Sequence, residues 1–551
     1  MEWVLHHAVA YPMTELLFHG TILTMNPQQP EAEAVLVRGE KLAFVGALRD
    51  ARAQAAPNVT EIALGERTLL PGFHDAHLHL TQHGVELTGV NLHDTHSLED
   101  ALDAVADAAR ATPPGQWLRG AGFLLSRYGT DTLSKDDLDR VAPKHPVFLK
   151  SKDHHSVWVN SLALTKASVH ANTPEPAHGV IVKDAQGKPS GLLLERADAL
   201  ITAVMPELSD AELSEAAQAA AHDLARLGIT SVHHMAADPS PSYFRALANA
   251  ASREDFPLRV WACIAQENLE HARALGLASN QGGHRFCVGG AKFFADGALG
   301  SLTAWMLEPY HNKTTRGMPV HGPEVLRERI PLAIEAGFAP VVHAIGDAAN
   351  RAVLDALEAT YDQGHYDQWH TAGLRPRIEH AQHLHPDDVA RFAELGVIAS
   401  IQPCHLVFDA ASIAALLPDR LHHASPNRTL LEHGTILAFG SDTPVATPDI
   451  VNVGLPAACT RYARDGADAG LVIGENQTLD VIDALYAYTA GAAYAAGWEH
   501  HVGSLETGKA ADMVLLSHDP RSSLASLTVA ATMQAGRWTY QRHINKGTSD
   551  V

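Results

Sequence analysis

The sequence predicts an α/β protein: a (β/α)8 TIM-like barrel, a composite β-sandwich domain formed by both chain ends, and an insertion after the first barrel strand. Eight short apolar segments between residues 68 and 442 have the character of strands, and helix-like segments such as 323–337 and 386–395 separate several of them. A parallel sheet or barrel produces this alternation, and eight strands favour the closed barrel. Both chain ends instead carry β-rich runs broken by Gly, Asn and Pro.

The predicted domain bounds follow from where this pattern changes. Residues 13–70 plus 490–551 form the composite β-sandwich domain, because the two ends share the same β-rich style. Residues 71–489 form the barrel. Residues 91–205 do not fit the alternation of strands and helices, so we expect them to form the insertion. An insertion at the carboxyl end of a barrel strand lies over the active-site face.

Composition and charge exclude several classes of function. The formal net charge of -22 argues against nucleic acid or an anionic membrane as partner, and no run reaches the roughly 18 apolar residues of a membrane span. The four cysteines lack CxxC spacing, which indicates neither a disulfide framework nor a zinc ribbon and fits a reducing cytoplasm. We therefore expect a cytoplasmic protein that acts on a small molecule, and a homodimer is left open.

Residues able to bind a metal stand at the ends of several predicted strands. In chain order they are His77, His79, Lys292, His343, His380 and Asp442. The carboxyl ends of barrel strands converge on a single mouth, so residues far apart in the chain meet there. Four imidazoles and a carboxylate supply the nitrogen and oxygen ligands that suit zinc or a neighbouring divalent ion. The sequence therefore predicts a metal centre at the mouth of the barrel.

Lys292 is the unusual member of this set, because a protonated ammonium has no lone pair to give to a metal. A lysine that loses its proton can react with carbon dioxide to form a carbamate, an anionic oxygen ligand able to bridge two metals. The alternative is an ordinary solvated or ion-paired lysine. The position of Lys292 between apolar residues of a strand expected to be buried favours the carbamate.

Nine stretches, in this order and spacing from about residue 15 to 520, resemble the amidohydrolase superfamily, and more narrowly its YtcJ-like, N-substituted formamide deformylase-like branch. They are "LLPGFHDAHLHL", "DHHSVWVNSLAL", "GKPSGLLLERA", "GITSVHHM", "AKFFADGALGSLTA", "VVHAIGDAANRAVLDAL", "RIEHAQ", "FGSDTPV" and "GSLETGKAADMVLL". The resemblance implies a (β/α)8 barrel with a composite β-sandwich.

The same resemblance assigns roles to the strand-end residues. His77 and His79 would bind one metal, His343 and His380 a second, and a carboxylated Lys292 would bridge them. Asp442 would bind metal and accept a proton. The resemblance implies divalent ions, with Zn2+ as the preferred identity, and leaves open whether one or two are bound.

The reaction expected from these residues is hydrolysis of a C–N bond by metal-activated hydroxide, with Asp442 as general base and with His380 and His155 as further catalytic residues. The bond would be an amide, such as an N-substituted formamide or an N-acyl group. Two alternatives stay open: a deaminase or cyclic amidase on the same scaffold, and a catalytically silent regulatory protein that binds metal.

Substrate contacts are predicted for a second set of residues, namely His155, Trp158, Glu195, Asp296 and Phe123. Phe123 and Trp158 would shape a partly apolar pocket within the insertion. Glu195 and Asp296 either contact substrate or orient backbone as buried carboxylates. His74 and Asp75 are expected beside the metal site, where they shape the turn.

Overall fold

In a computed structural model, the described residues are 15–93, 95–123, 133–152, 156–176, 179–236, 239–361, 369, 373–463 and 470–542. They divide into two compact units. The first, called the barrel unit, contains the described residues through His79, Ala221–Phe244 and those from Ala251 onward. The second, called the insertion unit, contains Leu80–Ala220 and Arg245–Ala250.

An eight-stranded parallel sheet forms the barrel. Numbering all strands along the chain, its members are β5 (Phe73–Leu78), β12 (Ile229–His234), β13 (Arg259–Ala265), β14 (Phe286–Phe294), β15 (Pro340–Ala344), β16 (Arg377–His380), β17 (Ile398–Ile401) and β18 (Leu437–Phe439). They pair in that order. Beyond β18, the Asp442 amide donates to the His77 carbonyl and the His79 amide to the Thr443 carbonyl, both at 2.7 Å. These bonds bring the last strand back to the first, which confirms the predicted barrel.

Burial explains why these eight segments form parallel strands. Every residue of β5 and β13 is buried, although β5 carries two histidines and an aspartate. A barrel strand has helices on one face and the filled interior on the other, so it is a continuous buried run. Polar residues on such a strand must find partners inside the protein. The polar residues of β5 are therefore candidates for a site.

Helices connect many of the strands. Their bounds are Leu48–Gln54, Leu80–Thr88, Leu98–Ala111, Lys135–Val141, Ser161–Lys166, Ala199–Thr202, Asp210–Arg226, Pro241–Ala251, Leu269–Ala274, Pro323–Glu335, Asp347–Thr360, Pro386–Glu394, Pro403–Phe408, Ala410–Leu416, Asn427–Glu432, Leu455–Thr460, Val481–Tyr486 and Ala492–Ala495. Within the part of the chain that the structure describes, none of them is long and apolar enough to cross a lipid bilayer.

A seven-stranded sheet joins the two chain ends. Its members are β1 (Glu15–Leu23), β2 (Glu31–Arg38), β3 (Lys41–Gly46), β4 (Thr60–Pro71), β19 (Met513–Leu516), β20 (Val529–Gln534) and β21 (Arg537–Gln541), and their spatial order is β21-β20-β19-β4-β1-β2-β3. Strand β4 from the N-terminal part pairs with β19 from the C-terminal part. Phe18, Leu69 and Met513 meet in the core of this sheet. The composite domain predicted from the two chain ends is thus present.

The insertion unit contains a six-stranded sheet that follows β5 in the chain. Its members are β6 (Val90–Asn91), β7 (Leu118–Phe123), β8 (Val147–Ser151), β9 (Ser156–Val159), β10 (Gly179–Lys183) and β11 (Pro189–Glu195), in the order β10-β11-β9-β8-β7-β6. Leu102, Val147 and Leu192 contribute to one hydrophobic core of this unit. The insertion after the first barrel strand is therefore a folded unit with its own sheet.

Candidate metal centre

Three of the predicted ligands converge at the carboxyl ends of the barrel strands. His77 on β5, His380 at the end of β16 and Asp442 after β18 each offer a ligand atom, and these atoms lie within 4.8 Å of one another. All three residues are buried. The distance from His77 Nε2 to Asp442 Oδ1 is 3.3 Å. Residues more than 300 positions apart therefore form one cluster of nitrogen and oxygen groups.

The backbone turns sharply at two of these positions. His380 has a φ of 72° and Asp442 a φ of 58°, in the left-handed region that non-glycine residues seldom adopt. Such a conformation costs on the order of 1–3 kcal/mol and persists where the surrounding structure enforces it, often at a functional site. These two positions lie at the end of β16 and just beyond the end of β18.

Asp75 ties two ligand-bearing segments together. Its Oδ1 accepts hydrogen bonds from the amides of His77, at 3.1 Å, and Ser441, at 3.0 Å. One carboxylate oxygen thus fixes the backbone of His77 on β5 and the residue before Asp442. Asp75 thus lies beside the cluster, as predicted, and its carboxylate holds the backbone there.

The other predicted histidine ligands lie next to the cluster. His79 Nε2 is 3.2 Å from Asp442 Oδ1, and His79 Nδ1 is 3.1 Å from the carbonyl of Met235. The ring of His343 lies 4.5 Å from that of His380, centroid to centroid. His343 Nε2 is 3.2 Å from the carbonyl of Gly297. The structure therefore groups His79 with Asp442, and His343 with His380.

Lys292 lies on β14 and is buried. Its Nζ is 5.0 Å from the centroid of the Phe294 ring. Burial lowers the pKa of Lys292, while the carboxylates of Glu379 and Asp442 act in the opposite direction without cancelling the shift. Burial thus makes the ammonium form of Lys292 less favourable than that of a solvated lysine.

Three further residues at this site were missed by sequence reasoning. His405 Nε2 lies 3.3 Å from Asp442 Oδ2, and the His405 ring stacks on that of His380 with centroids 5.5 Å apart. Glu379 Oε2 is 2.5 Å from His77 Nδ1, and Arg377 pairs with Glu379. His405 lies on the helix Pro403–Phe408, just after the seventh barrel strand, which was the available signal. For Arg377 and Glu379 the signal was two charges on a strand expected to be buried.

Protonation states at the cluster suit a cation. Burial together with the neighbouring His343 and His77 keeps the pKa of His380 well below its ordinary value, so this imidazole is neutral. Burial raises the pKa of Asp442, but the imidazoles of His77 and His405 lower it by more, so the carboxylate is ionised. Neutral imidazole and ionised carboxylate are the forms that bind a divalent metal.

Lone pairs face one another across the cluster. His77 Nδ1 and His79 Nδ1 donate to Glu379 and to the carbonyl of Met235, so a neutral ring at either position has an unprotonated Nε2. Both Nε2 atoms face Asp442 Oδ1, a buried atom that accepts no hydrogen bond from the described part of the chain. Buried polar atoms are normally paired, so the arrangement fits a cation between them.

The comparisons with known proteins place the chain in a family. The sequence profile of the amidohydrolase family matches residues 60–540. The chain belongs to this family. It is 33% identical over 538 residues to amidohydrolase YtcJ of Bacillus subtilis (strain 168), which covers 95% of this chain and 98% of that protein.

A second relative and a solved structure agree with this assignment. The chain is 27% identical over 547 residues to the N-substituted formamide deformylase of Arthrobacter pascens, covering 96% of this chain and 98% of that protein. It also matches the crystal structure of an uncharacterized metal-dependent hydrolase from Pyrococcus horikoshii, with a TM-score of 0.76, 25% identity, and coverage of 93% and 99%. This amidohydrolase is thus a metal-dependent hydrolase that acts on carbon–nitrogen bonds of small molecules.

Asp296 lies in the barrel unit of the amidohydrolase, and both oxygens of its carboxylate accept hydrogen bonds from backbone amides. Oδ1 accepts from the amide of Ile345 at 3.0 Å, and Oδ2 accepts from those of Gly346 and Trp305 at 2.8 Å. Burial raises the pKa of Asp296 to about 7 despite these bonds. Of the two roles that the sequence left open for Asp296, these contacts match the backbone-orienting one.

The remaining predicted substrate residues belong to the insertion unit or lie outside the described residues. Phe123 and Trp158 are fully buried and pack edge to face, with ring centroids 6.3 Å apart, and Trp158 Nε1 donates to the carbonyl of Ser134 at 3.0 Å. Glu195 is exposed, at the end of β11, and has a φ of 51°. His155 lies outside the described residues. Within the insertion unit, Phe123 and Trp158 therefore serve the core.

Proposed function

We propose that this amidohydrolase hydrolyses an amide C–N bond of a small molecule, with an N-substituted formamide or a related N-acyl compound as substrate. The observation that carries the proposal is the buried carboxylate of Asp442, which faces three imidazoles at the mouth of the barrel. The relative named as an N-substituted formamide deformylase, aligned over nearly the whole chain, supports this substrate class. Water would add to the carbonyl, and the products would be a carboxylic acid and an amine.

His77, His380 and Asp442 would hold one divalent metal, for which we propose zinc. His79 lies against the same carboxylate oxygen and completes this group, while His343 and Lys292 would serve a second ion. When bound, a divalent metal acts as a Lewis acid and lowers the pKa of a coordinated water from near 16 to about 7. The donor set of nitrogens and oxygens suits zinc.

Asp442 is suited to move the proton in this reaction because its two oxygens face different groups. Oδ1 faces the Nε2 atoms of His77 and His79, and Oδ2 faces His405. Oδ2 would take a proton from the attacking water and deliver it to the departing nitrogen, since the same group can act as base and then as acid. His405 fixes the orientation of this oxygen during both transfers.

Lys292 would be carboxylated in this proposal. Its amine is buried, which disfavours the charged form. The neutral amine would add to carbon dioxide, which yields a carbamate and releases one proton. In protein equilibrated with ¹³C-labelled bicarbonate, ¹³C NMR should show a carbamate signal that is missing from Lys292→Met. A wild-type spectrum without that signal would contradict carboxylation and leave the amide hydrolysis proposal standing.

The substrate class and the role of Asp442 can be tested together. Zinc-loaded enzyme is assayed with N-formyl amines, N-acyl amino acids, cyclic amides and heterocyclic amines, and formate, amine and ammonia are measured separately. We expect the N-formyl or N-acyl compounds to react, whereas ammonia from a ring substrate would identify a deaminase. Asp442→Asn should lower kcat by about 100- to 10,000-fold, the range for loss of a general acid–base group.

Asp449→Asn is the matched control for this variant. Asp449 lies seven residues further along, and its Oδ1 accepts from the amide of Asn452 at 2.9 Å. An asparagine oxygen can accept the same backbone bond, and the substitution otherwise removes only a contact of Oδ2 with Asn452 Nδ2, at 2.9 Å. Folding and turnover should therefore be unchanged. Near-normal turnover in Asp442→Asn would exclude Asp442 as general base.

A further inference from the structure

Two charged residues on β16 lie beside the metal cluster and have no role in the reaction as described. Arg377 and Glu379 are both fully buried and are separated by one residue on the strand. Side chains alternate between the two faces of a strand, so both residues lie on the same face. A buried ion pair is weak evidence for stability, because desolvation offsets the attraction between the charges. Stability of the fold therefore does not by itself explain why this pair is present.

We propose that Glu379, held by Arg377, is a positioning residue that fixes the tautomer and the ring orientation of His77 for metal binding. The proposal rests on the metal site of the proposed function. It assigns a role to two residues outside the predicted ligand set.

The contact of Glu379 with His77 sets the protonation of the ring. Glu379 Oε2 accepts a hydrogen bond from His77 Nδ1 at 2.5 Å. A neutral imidazole carries one N–H, so a proton fixed on Nδ1 leaves Nε2 with its lone pair free. That Nε2 is the atom 3.3 Å from Asp442 Oδ1. An outer partner of this kind orients a metal-ligating histidine and makes it more basic.

Arg377 in turn fixes Glu379. Its Nε donates to Glu379 Oε1 at 2.5 Å and its Nη2 donates to Glu379 Oε2 at 3.1 Å, which gives a two-pronged contact. A carboxylate held by two hydrogen bonds has a fixed orientation, in which Oε2 accepts the hydrogen bond from His77.

The same arginine also holds the backbone beside His77. Its Nη2 donates to the carbonyl of Ala76, the residue before His77, and to Ser400 Oγ on β17, both at 2.6 Å. Nη1 contacts His233 Nδ1 on β12 at 2.6 Å. Arg377 thus joins four barrel strands at the level of the ligand, so both the ring and the backbone of His77 depend on this network.

A second buried pair in the barrel unit provides the matched control. Arg259 Nε and Nη2 donate to the two carboxylate oxygens of Asp512 at 2.6 and 3.0 Å, and both side chains are at most 4% exposed. The Asp512 carboxylate additionally accepts from the amide of Ala535 at 2.8 Å and contacts no predicted ligand. Neutralising Asp512 therefore removes the same kind of ion pair without altering His77.

The test compares Glu379→Gln, Glu379→Ala and Asp512→Asn. Zinc affinity is measured by competition with a chelator on metal-free protein, without substrate. We expect both Glu379 variants to bind zinc about 10- to 100-fold more weakly, the usual loss when an outer partner is removed. We expect Asp512→Asn to bind zinc as the wild type does. The assay does not depend on the substrate, so it fails or succeeds independently of amide hydrolysis.

A second readout addresses the tautomer itself. In metal-free protein with ¹⁵N-labelled histidine, the His77 ring should carry its proton on Nδ1 in the wild type and in Asp512→Asn, and should lose that preference in Glu379→Ala. Unchanged zinc affinity with an unchanged tautomer in the Glu379 variants would overturn the proposal. So would an equal loss of zinc affinity in Asp512→Asn, because the loss would then reflect stability alone.

Discussion

Two buried arginine–carboxylate pairs in the barrel unit have the same geometry but different surroundings. Arg377 with Glu379 lies inside the barrel, and Arg259 with Asp512 connects β13 to the sheet of the chain ends. In both pairs the guanidinium contacts both carboxylate oxygens. Glu379 also accepts a hydrogen bond from the ring of His77, whereas Asp512 accepts one from the backbone amide of Ala535. The third contact thus decides whether such a pair serves the site or the fold.

The two arginines differ in the same way. Arg377 donates to the carbonyl of Ala76 and to Ser400, which lie on barrel strands beside His77. Arg259 donates to the carbonyl of His284, at 2.9 Å, in the segment that leads into β14. Because both pairs are buried and make the same two-pronged contact, differences between variants of the two pairs should report what each pair positions.

The largest expected effect comes from breaking each pair and then replacing it. Arg377→Met and Arg259→Met should each lower the free energy of unfolding by about 3–5 kcal/mol, because each leaves a buried carboxylate without its partner. The double variants Arg377→Met/Glu379→Leu and Arg259→Met/Asp512→Leu should recover much of this loss, since apolar residues replace a buried pair at little cost. Denaturant unfolding of metal-free protein measures both effects.

Zinc affinity then separates the two pairs. Arg377→Met/Glu379→Leu should regain stability but not zinc affinity, because His77 Nδ1 has lost its acceptor. Arg259→Met/Asp512→Leu should bind zinc as the wild type does. Recovery of both properties in the Arg377 double variant would show that the two pairs are equivalent.

The sequence predicts the barrel well because its signals are local. Each of the eight strands is a short apolar run, and the ligand candidates follow directly from which residues end those runs. The composite sheet was also predicted, because both chain ends carry β-rich runs of the same kind. What the sequence does not contain is the register between distant strands, on which the contact of His77 with Glu379 depends, 302 positions apart.

Residues were missed where a general rule was applied to one residue and not to others. Lys292 attracted attention as a charge on a buried strand, and the same reasoning applies to Arg377 and Glu379 in "RIEHAQ". His405 follows β17 and therefore belongs to the same mouth as the other strand ends. Whether Phe123 and Trp158 form a pocket or a core depends on packing within the insertion, which composition leaves undetermined.

The two buried ion pairs can be compared with a buried histidine that has no counter-ion and whose protonation depends on pH. His383 is buried, and neither ring nitrogen has a hydrogen-bond partner among the described residues. Burial, together with Arg420 and His423, lowers the pKa of His383 from 6.5 to about 3. The unfolded chain binds this proton below pH 6.5 and the folded chain does not, so stability falls as the pH falls from 6.5 towards 3.

The lowered pKa of His383 predicts that acid reduces the free energy of unfolding, and substituting this histidine should reduce that effect. A single site with this shift contributes about 2 kcal/mol of unfolding free energy at pH 7.5 that is lost by pH 5. In His383→Phe, the difference between denaturant unfolding at the two pH values should shrink by about 2 kcal/mol. An unchanged difference would show that His383 does not titrate in this way.

The smallest expected effect concerns the two residues that contact predicted metal ligands, Glu379 and His405. Glu379 contacts His77 and should govern zinc affinity, whereas His405 contacts Oδ2 of Asp442, the oxygen assigned to proton transfer. His405→Asn should therefore lower kcat about tenfold, equivalent to about 1.4 kcal/mol, and leave zinc affinity unchanged. His433→Asn, at an exposed position, is the control and should change neither quantity. If His405→Asn weakened zinc binding as much as Glu379→Gln does, His405 would be a ligand or a support of one, and the division between affinity and turnover would not hold.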